Sequence, residues 1–313
     1  EIWPRDWSSD VCSSDLLTIF TYNLSYKKYM DLATQSTVEL AKNYGMGFQS
    51  QLNSQIAEVE GLANGTNIQN LVLENYNGVT LGNDSPYYTN VTDLFATASD
   101  YAGNNVNYYL YDVNGYYITS SDNTNTDDWQ EHMAIPVEDI TETKILQCSP
   151  LDEIESIDVV SPIIIKSQIV GLIRANITSR YFGSFIPEDG SAFIMTNDGG
   201  YLFTSTGLTG QRELETQAFN CLNGADNAKD YGHLKASSFK NIYGFCKLSD
   251  SNWLYLIKQQ GTQYQQILAT LPITMSITLI IILMIAIWVS RILSAKYTEP
   301  IFTLRDNMTD ASS

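Results

Sequence analysis

Residues 108–121 read YYLYDVNGYYITSS, in which two apolar runs are joined by Asn114-Gly115. An Asn-Gly or Asp-Gly pair between alternating apolar residues is the strongest short-range signal for a β-hairpin. The pattern recurs at 192–205, where AFIMTNDGGYLFTS surrounds Asp198-Gly199. The sequence therefore predicts two hairpins.

Each predicted hairpin is followed by two further predicted strands. The first pair lies in DVVSPIIIKSQIVGLIRANIT (158–178) and the second in NIYGFCKLSDSNWLYLIKQQ (241–260). Gly115 and Gly199 are 84 residues apart, and the later strands repeat at a similar spacing. Single hairpins are common, but matched spacing of whole units is not. We therefore expect two related modules in tandem.

A long amphipathic helix is predicted upstream of these modules. Its apolar residues recur at spacings of three and four, which places them on one helical face, while polar Gln, Ser and Asn residues fill the other faces. The apolar residues are Leu40, Tyr44, Phe48, Leu52, Ile56, Val59 and Leu62. Two shorter helices are predicted at Asn67–Tyr76 and Val91–Ala102. We expect residues 23–105 to form this long helix and a helical cap.

The C-terminal part contains an apolar run, Ile267–Ser290, without a charged side chain. A bilayer core needs about 20 apolar residues in a helix, and a buried core helix rarely stays uncharged for so long. Arg291, Lys296 and Arg305 follow the run, which puts that end in the cytoplasm by the positive-inside rule. The sequence predicts a transmembrane helix at 267–290, with the preceding domain outside the cell.

The N-terminal stretch DWSSDVCSSDL, residues 6–16, resembles the translation of a sequencing-library adapter. It has no apolar periodicity, and it abuts the apolar LLTIFTY at its C-terminal end. We therefore set residues 1–15 aside from fold reasoning. We expect residues 16–22 to be the remnant of a first transmembrane helix.

Composition supports an exported domain. The formal net charge of −18 suits a soluble outer domain and argues against nucleic-acid binding. With Cys12 set aside, Cys148, Cys221 and Cys246 remain, so at least one thiol is expected to be free. Cys221 and Cys246 could pair, but their spacing does not require it.

Together these patterns resemble a double Cache sensor, over about residues 23–266. The landmarks are YLYDVNGYYITSSD, Trp129 in DDWQEHM, VGLIRANI and SNWLYLI. The resemblance implies an α+β fold: a long N-terminal helix and two tandem PAS-like modules, followed by a transmembrane helix. It places a membrane-distal module at 106–186 and a membrane-proximal module at 187–266. The ligand of this family usually binds in the distal module.

After the apolar run, KYTEPIFTLRDNM resembles the start of a HAMP relay, through Glu299, Pro300 and Leu304. Proline is acceptable in a first helical turn, where its missing N–H is not needed. An ordinary cytoplasmic helix start is the alternative. The resemblance implies that residues 291–313 begin a relay to an output domain.

No catalytic constellation is recognisable in the sequence. The histidines, His132 and His233, lie outside H-E-x-x-H, and neither G-x-S-x-G nor a P-loop occurs. Asp127, Asp128, Glu131 and His132 are close in sequence but lack the glycine and the distant carboxylate of a calcium loop. We expect no metal and no cofactor, and whether a missing output domain is an enzyme stays open.

The better functional hypothesis is a small-molecule pocket between the first module's sheet and its variable middle. Aromatic walls with a few convergent polar groups are usual in such sites. The candidate residues are Tyr109, Tyr111, Tyr117, Asp122, Asp127, Trp129, His132, Arg174 and Asn176. Alternate tyrosines on a strand can also simply pack a sheet.

The charge pattern bears on the ligand. There is no Lys or Arg between Asn43 and Thr143, and a free carboxylate normally needs a guanidinium or an equivalent donor. The amino-acid-sensing double Cache pattern has Arg, Tyr and Asp where this chain has Asp127, Gln130 and Asn176. We therefore favour a cationic or neutral ligand, although Arg174 or Lys166 could serve an anion.

The leading hypothesis is the extracellular sensor and transmembrane part of a bacterial receptor. The output could be a histidine kinase, a chemoreceptor signalling helix or a diguanylate cyclase. Homodimerisation through the long helix is expected, and nucleic acid is not. The alternative is a membrane-anchored extracellular binding or adhesion protein, or an enzyme.

Overall fold

The computed structural model describes most of the chain, in several stretches. They are 7–76, 85–122, 139–147, 156–186, 191–203, 208, 211–223, 230–235, 241–260, 262–294 and 296. Thr34–Gln259 form one compact unit that contains both sheets, and the rest of the chain belongs to a second unit.

The long helix, α1, spans Trp7–Ala63. It therefore includes much of the adapter-like segment that we set aside. Within residues 34–63 its predicted apolar face packs into the core, and Phe48, Leu52 and Val59 are almost completely inaccessible. The other predicted apolar residues are partly buried: Leu40, Tyr44, Ile56 and Leu62. The expectation that glutamines occupy only the other faces is wrong at one position. Gln55 is buried, because it bonds to the hydroxyls of Tyr108 and Tyr181.

Two shorter helices follow, α2 (Thr66–Tyr76) and α3 (Pro86–Tyr101). The predicted bounds of α2 differ by one residue at its start. Helix α3 begins five residues before the predicted Val91, since the Ser85 hydroxyl accepts a hydrogen bond from the Tyr87 N–H. Proline suits the first turn that this cap creates, so Pro86 starts the helix.

The first sheet has five strands in the order β2-β1-β5-β4-β3, and all its neighbouring pairs are antiparallel. Its strands are β1 (Val106–Asp112), β2 (Tyr117–Ser120), β3 (Lys144–Gln147), β4 (Ser156–Ile165) and β5 (Gln168–Thr178). The predicted hairpin turn is present, with Gly115 at φ 81°. That conformation favours glycine, because a side chain there would strain the backbone.

The second sheet repeats this topology in the order β7-β6-β10-β9-β8. Its strands are β6 (Ala192–Met195), β7 (Tyr201–Leu202), β8 (Tyr231–Leu234), β9 (Asn241–Leu248) and β10 (Trp253–Gln260), and helix α4 (Arg212–Asn223) lies between β7 and β8. Gly199 occupies the matching hairpin turn at φ 88°. The predicted α+β fold with two related sheet modules after a long helix is therefore confirmed.

Helix α1 contacts the two sheets at different points along its length. Thr37 lies against β9 and β10, where its hydroxyl donates to Gln259 Oε1 over 2.6 Å. Further along α1, Gln55 reaches Tyr108 on β1. The second sheet is thus nearer the N-terminal end of α1 within this unit, and the first sheet is nearer its C-terminal end.

The segment between the two sheets, residues 179–186, is held by α1. The Gln51 side chain donates to the Tyr181 carbonyl over 2.9 Å, and the rings of Phe48 and Phe182 are 4.5 Å apart. Phe185 fills the space beside Gly47, where a Cβ atom would collide with its ring. These contacts tie the end of β5 to the helix.

Cys221 and Cys246 are both free, and burial raises the pKa of each thiol. Because the thiolate is the reactive form, we expect native-state alkylation to be slow at both, and slowest at Cys246, which is 5% exposed. Iodoacetamide labelling of the unreduced full chain, read by peptide mass spectrometry, measures this, with urea-unfolded chain as the control. A peptide linking the two cysteines would contradict it.

The last helix, α5, spans Thr262–Leu293. Within it Ser276–Leu293 is long and apolar enough to cross a membrane, by length and composition. Its large apolar side chains are exposed, including Ile282, Met284 and Trp288. Such a continuous apolar surface is unusual on a soluble protein and is typical of a segment that meets lipid or a partner.

Candidate ligand-binding face of the first sheet

The first sheet has one face covered by helices and another that carries polar and aromatic residues. Side chains alternate along a strand, so Tyr108 of β1 points to the helices, where its ring stacks 5.8 Å from Phe95 of α3. Tyr109 and Tyr111 are one and three residues further along the strand, so their side chains lie on the opposite face. We call this opposite face the tyrosine face.

Strand register brings the candidate residues of β1 and β5 together. Tyr109 lies opposite Arg174, and Tyr111 lies opposite Leu172. On the other side of β5, Asn176 lies opposite Asp158 of β4. The tyrosine face therefore runs across three adjacent strands.

A small apolar cluster forms part of this face. It consists of Tyr109, Tyr111, Ile140, Val160 and Leu172, with Tyr117 and Leu146 packed against it. The Tyr111 and Tyr117 rings meet edge to face, with centroids 6.3 Å apart. This geometry is favourable for aromatic pairs, and it keeps the tyrosine rings in fixed positions.

A buried ion pair lies beside the cluster. Arg174 Nε is 2.9 Å from Asp158 Oδ2, and Asn176 Nδ2 donates to Asp158 Oδ1 over 2.8 Å. Burial alone would lower the pKa of Arg174, but the charge of Asp158 and hydrogen bonds to Asp158 and Tyr111 raise it above its usual value. The guanidinium is therefore always charged, and its charge is neutralised from within the protein.

A second polar group lies at the margin of the face. Tyr109 donates to Asp122 Oδ2 over 3.3 Å, and Ser120 donates to Asp122 Oδ1 over 2.8 Å. The Tyr117 hydroxyl is 2.9 Å from Ser120 Oγ. Burial and the Asp122 charge raise the pKa of Tyr109, so its hydroxyl stays protonated and donates to the carboxylate.

The two polar groups meet at one ring. The Arg174 guanidinium carbon lies 5.2 Å from the centroid of the Tyr109 ring, a distance suited to a cation–π contact. Tyr109 therefore contacts Arg174 through its ring and Asp122 through its hydroxyl. Tyr109 thus links a guanidinium and a carboxylate in one contact network.

The matching face of the second sheet is different. The 84-residue repeat relates Tyr109 to Phe193. Strand pairing then relates Arg174, which lies opposite Tyr109 on β5, to Leu256, which lies opposite Phe193 on β10. Phe193 and Leu256 belong to an apolar core that also contains Leu214, Ala218 and Leu222 of α4. The second sheet's face is filled by its own helix, whereas the first sheet's face carries buried charge.

The structure brings together six of the nine candidate residues. They are Tyr109, Tyr111, Tyr117, Asp122, Arg174 and Asn176. Asp127, Trp129 and His132 lie outside the described residues. Lys166, considered as an anion ligand, lies in the turn between β4 and β5 with φ 50°.

Sequence reasoning missed Asp158 and Ser120. Asp158 is 4% exposed, and the available signal was a carboxylate inside the apolar run SIDVVSP. Charged residues are rarely buried unless they are paired, so a lone acidic residue in a central strand predicts a buried partner.

Comparison with known proteins places the fold. No protein-family profile matches the sequence, and neither does any curated protein. Among solved structures, the chain is similar to the extracellular domain of soHK1S-Z6, described as a histidine kinase, with TM-score 0.52, 10% identity, and 76% of this chain and 98% of that one covered. The corresponding domain of vpHK1S-Z8 has TM-score 0.53, 10% identity, and coverage of 75% and 96%.

A weaker likeness is to the ligand-binding domain of the amino-acid chemoreceptor PctC of Pseudomonas aeruginosa PAO1 in complex with GABA. Its TM-score is 0.47 at 16% identity, with 72% of this chain and 99% of that one covered. At such identities the first two likenesses show the fold alone, which this chain shares with those extracellular domains.

Proposed function

We propose that this chain is the extracellular ligand-sensing and transmembrane part of a bacterial receptor, and that the tyrosine face binds a small molecule. One observation carries the proposal: Arg174 and Tyr109 occupy positions that are apolar core in the second sheet, at Leu256 and Phe193. A buried charge is expensive even when paired. A ligand-binding role explains why the first sheet keeps a buried charge at a position where the second sheet has an apolar residue.

The charges favour a cationic or neutral ligand. Arg174 is neutralised by Asp158, and Lys144 at the β3 edge donates to the Asp139 carbonyl over 2.8 Å. Asp122, which accepts hydrogen bonds from Tyr109 and Ser120, places a negative charge at the margin of the face. The flanking segments 123–138 and 148–155 contain several carboxylates and no lysine or arginine. A cation is attracted there, whereas an anion meets like charge.

The membrane arrangement is also part of the proposal. Residues 267–290 cross the membrane, residues 291–313 begin a HAMP-like cytoplasmic relay, and residues 23–266 lie outside. The uncharged run and the Arg291 that follows it support this topology. The first module, at 106–186, is then membrane-distal, because the second contacts α1 nearer its N-terminal end. Two copies pair through α1.

A ligand screen tests the binding proposal. The melting temperature of the detergent-solubilised full chain is measured in the presence of amines, polyamines, sugars and amino acids. Compounds that raise it are confirmed as ligands by calorimetry. We expect Tyr109→Phe, which removes only the hydroxyl bonded to Asp122, and Trp129→Ala each to weaken binding by about 1 kcal/mol or more.

The matched control is Tyr201→Phe, at the position in the second sheet that corresponds to Tyr117. It should leave the affinity unchanged. Loss of binding in Tyr201→Phe, with Tyr109→Phe and Trp129→Ala unaffected, would move the site to the second module and reject the tyrosine face.

A further inference from the structure

Asp158 is a carboxylate within the tyrosine face whose two oxygens both bind protein groups. Oδ2 contacts Arg174 Nε at 2.9 Å, and Oδ1 accepts from Asn176 over 2.8 Å. The Asn176 amide also donates to Ser156 Oγ over 3.0 Å. Asp158 is thus oriented toward Arg174 by a residue that is itself held in place.

The guanidinium that Asp158 neutralises is otherwise well suited to hold a carboxylate. Arginine presents several N–H donors in a rigid planar fork, which makes it the preferred partner of carboxylate groups. The Arg174 guanidinium carbon lies 5.2 Å from the centroid of the Tyr109 ring, so the ring limits the space that the fork can occupy. The charge of Asp158 is what makes an anion unfavourable beside it.

We propose that Asp158 determines the charge specificity of the site: it masks Arg174, so that the tyrosine face rejects carboxylate ligands. This inference rests on the proposed function, because it assumes that ligands reach the tyrosine face. A second carboxylate next to Arg174 would have to share the guanidinium with Asp158 in a partly desolvated setting, where like charges repel strongly. Neutralising Asp158 removes this competitor and turns Arg174 into an anion anchor.

The test uses ligands that differ in charge but have the same chain length. Putrescine is a dication, γ-aminobutyrate a zwitterion and succinate a dianion at neutral pH. Each is added to the detergent-solubilised full chain, and the melting temperature is followed by tryptophan fluorescence. A ligand that binds the folded state raises the melting temperature even of a destabilised variant.

Two variants change the net charge equally but at different places. Asp158→Asn removes the carboxylate that neutralises Arg174 and keeps a hydrogen-bond acceptor of the same shape. Asp122→Asn removes the carboxylate at the margin, which bonds to Tyr109 and Ser120 instead. If Asp158→Asn does not fold, Asp158→Ser, a smaller neutral acceptor, replaces it.

We expect succinate to bind Asp158→Asn at least about tenfold more tightly than the wild type, since a charge-assisted hydrogen bond is gained. Asp122→Asn should show no such gain. An equal gain in succinate affinity in both variants would mean that the effect comes from the change in net charge alone, and this would overturn the proposal. Succinate binding to the wild type, or no gain in either Asp158 variant, would overturn it as well.

The outcome is separable from that of the proposed function. The proposed function fails if no compound in the screen binds the wild type through Tyr109. If such a compound is found and Asp158→Asn gains no succinate binding, only the masking role of Asp158 is rejected.

Discussion

Asp158→Ala is expected to lower the free energy of unfolding by about 3 kcal/mol, because removing one partner of a buried ion pair leaves an uncompensated charge. The Arg174 side chain is 16% exposed, so it cannot be fully hydrated where it lies. The substitution also leaves the Asn176 amide without one of its acceptors. Urea unfolding of the detergent-solubilised full chain, followed by tryptophan fluorescence, measures the change.

The control replaces the whole pair. In the double variant Asp158→Leu/Arg174→Leu, no buried charge remains, and the second sheet already carries Leu256 at the position that corresponds to Arg174. Replacing a buried ion pair by apolar residues is often neutral or stabilising, so we expect stability within about 1 kcal/mol of the wild type. A double variant as unstable as Asp158→Ala would show that the pair stabilises the sheet and would weaken the case for a functional charge.

The two hairpins could be predicted because their turns have local chemistry. Gly115 and Gly199 have φ values of 81° and 88°, which glycine adopts without strain. Two residues therefore predict the position of each turn, and the alternating apolar pattern predicts the strands on either side. The repeated topology of the two sheets followed from the matched spacing of these turns.

The ion pair could not be predicted, because it depends on how β4 pairs with β5. The turn that sets this register is Lys166-Ser167, in which both residues have positive φ although neither is glycine or asparagine. Without that turn signal, the sequence does not reveal that Asp158 lies opposite Asn176 and next to Arg174. The candidate residues on β1 and β5 were found by residue type, whereas Asp158, which neutralises Arg174, was not.

Buried polar groups on α1 were missed for a related reason. A helical pattern assigns Gln55 to the polar side, but the structure buries it between β1 and the segment after β5, where it bonds to Tyr108 and Tyr181. Amphipathic patterns report average preference for water, whereas a buried glutamine needs specific partners from distant parts of the chain. Those partners become visible only when the tertiary contacts are known.

Gly244→Ala is expected to destabilise the chain by about 2 kcal/mol, since overpacking a tight contact typically costs this much. Gly244 lies on β9 beneath α1. A Cβ atom there would be 2.6 Å from the Thr37 carbonyl oxygen and 3.2 Å from Ala41 Cβ. The first of these is helix backbone, which cannot rotate away as a side chain would. Helix α1 must therefore move off the sheet, and the hydrogen bond from Thr37 to Gln259 is strained with it.

The matched control is Gly61→Ala, the same chemical change on α1, where the new Cβ meets nothing within 4 Å beyond the neighbouring backbone of its own helix. Because glycine is a poor helix former, this substitution should stabilise the chain by about 0.5–1 kcal/mol. Thermal melts of the two variants should shift in opposite directions from the wild type. If Gly244→Ala melts at or above the wild-type temperature, α1 is not in close contact with β9. The helix would then be free to move relative to the second sheet without the penalty that this packing implies.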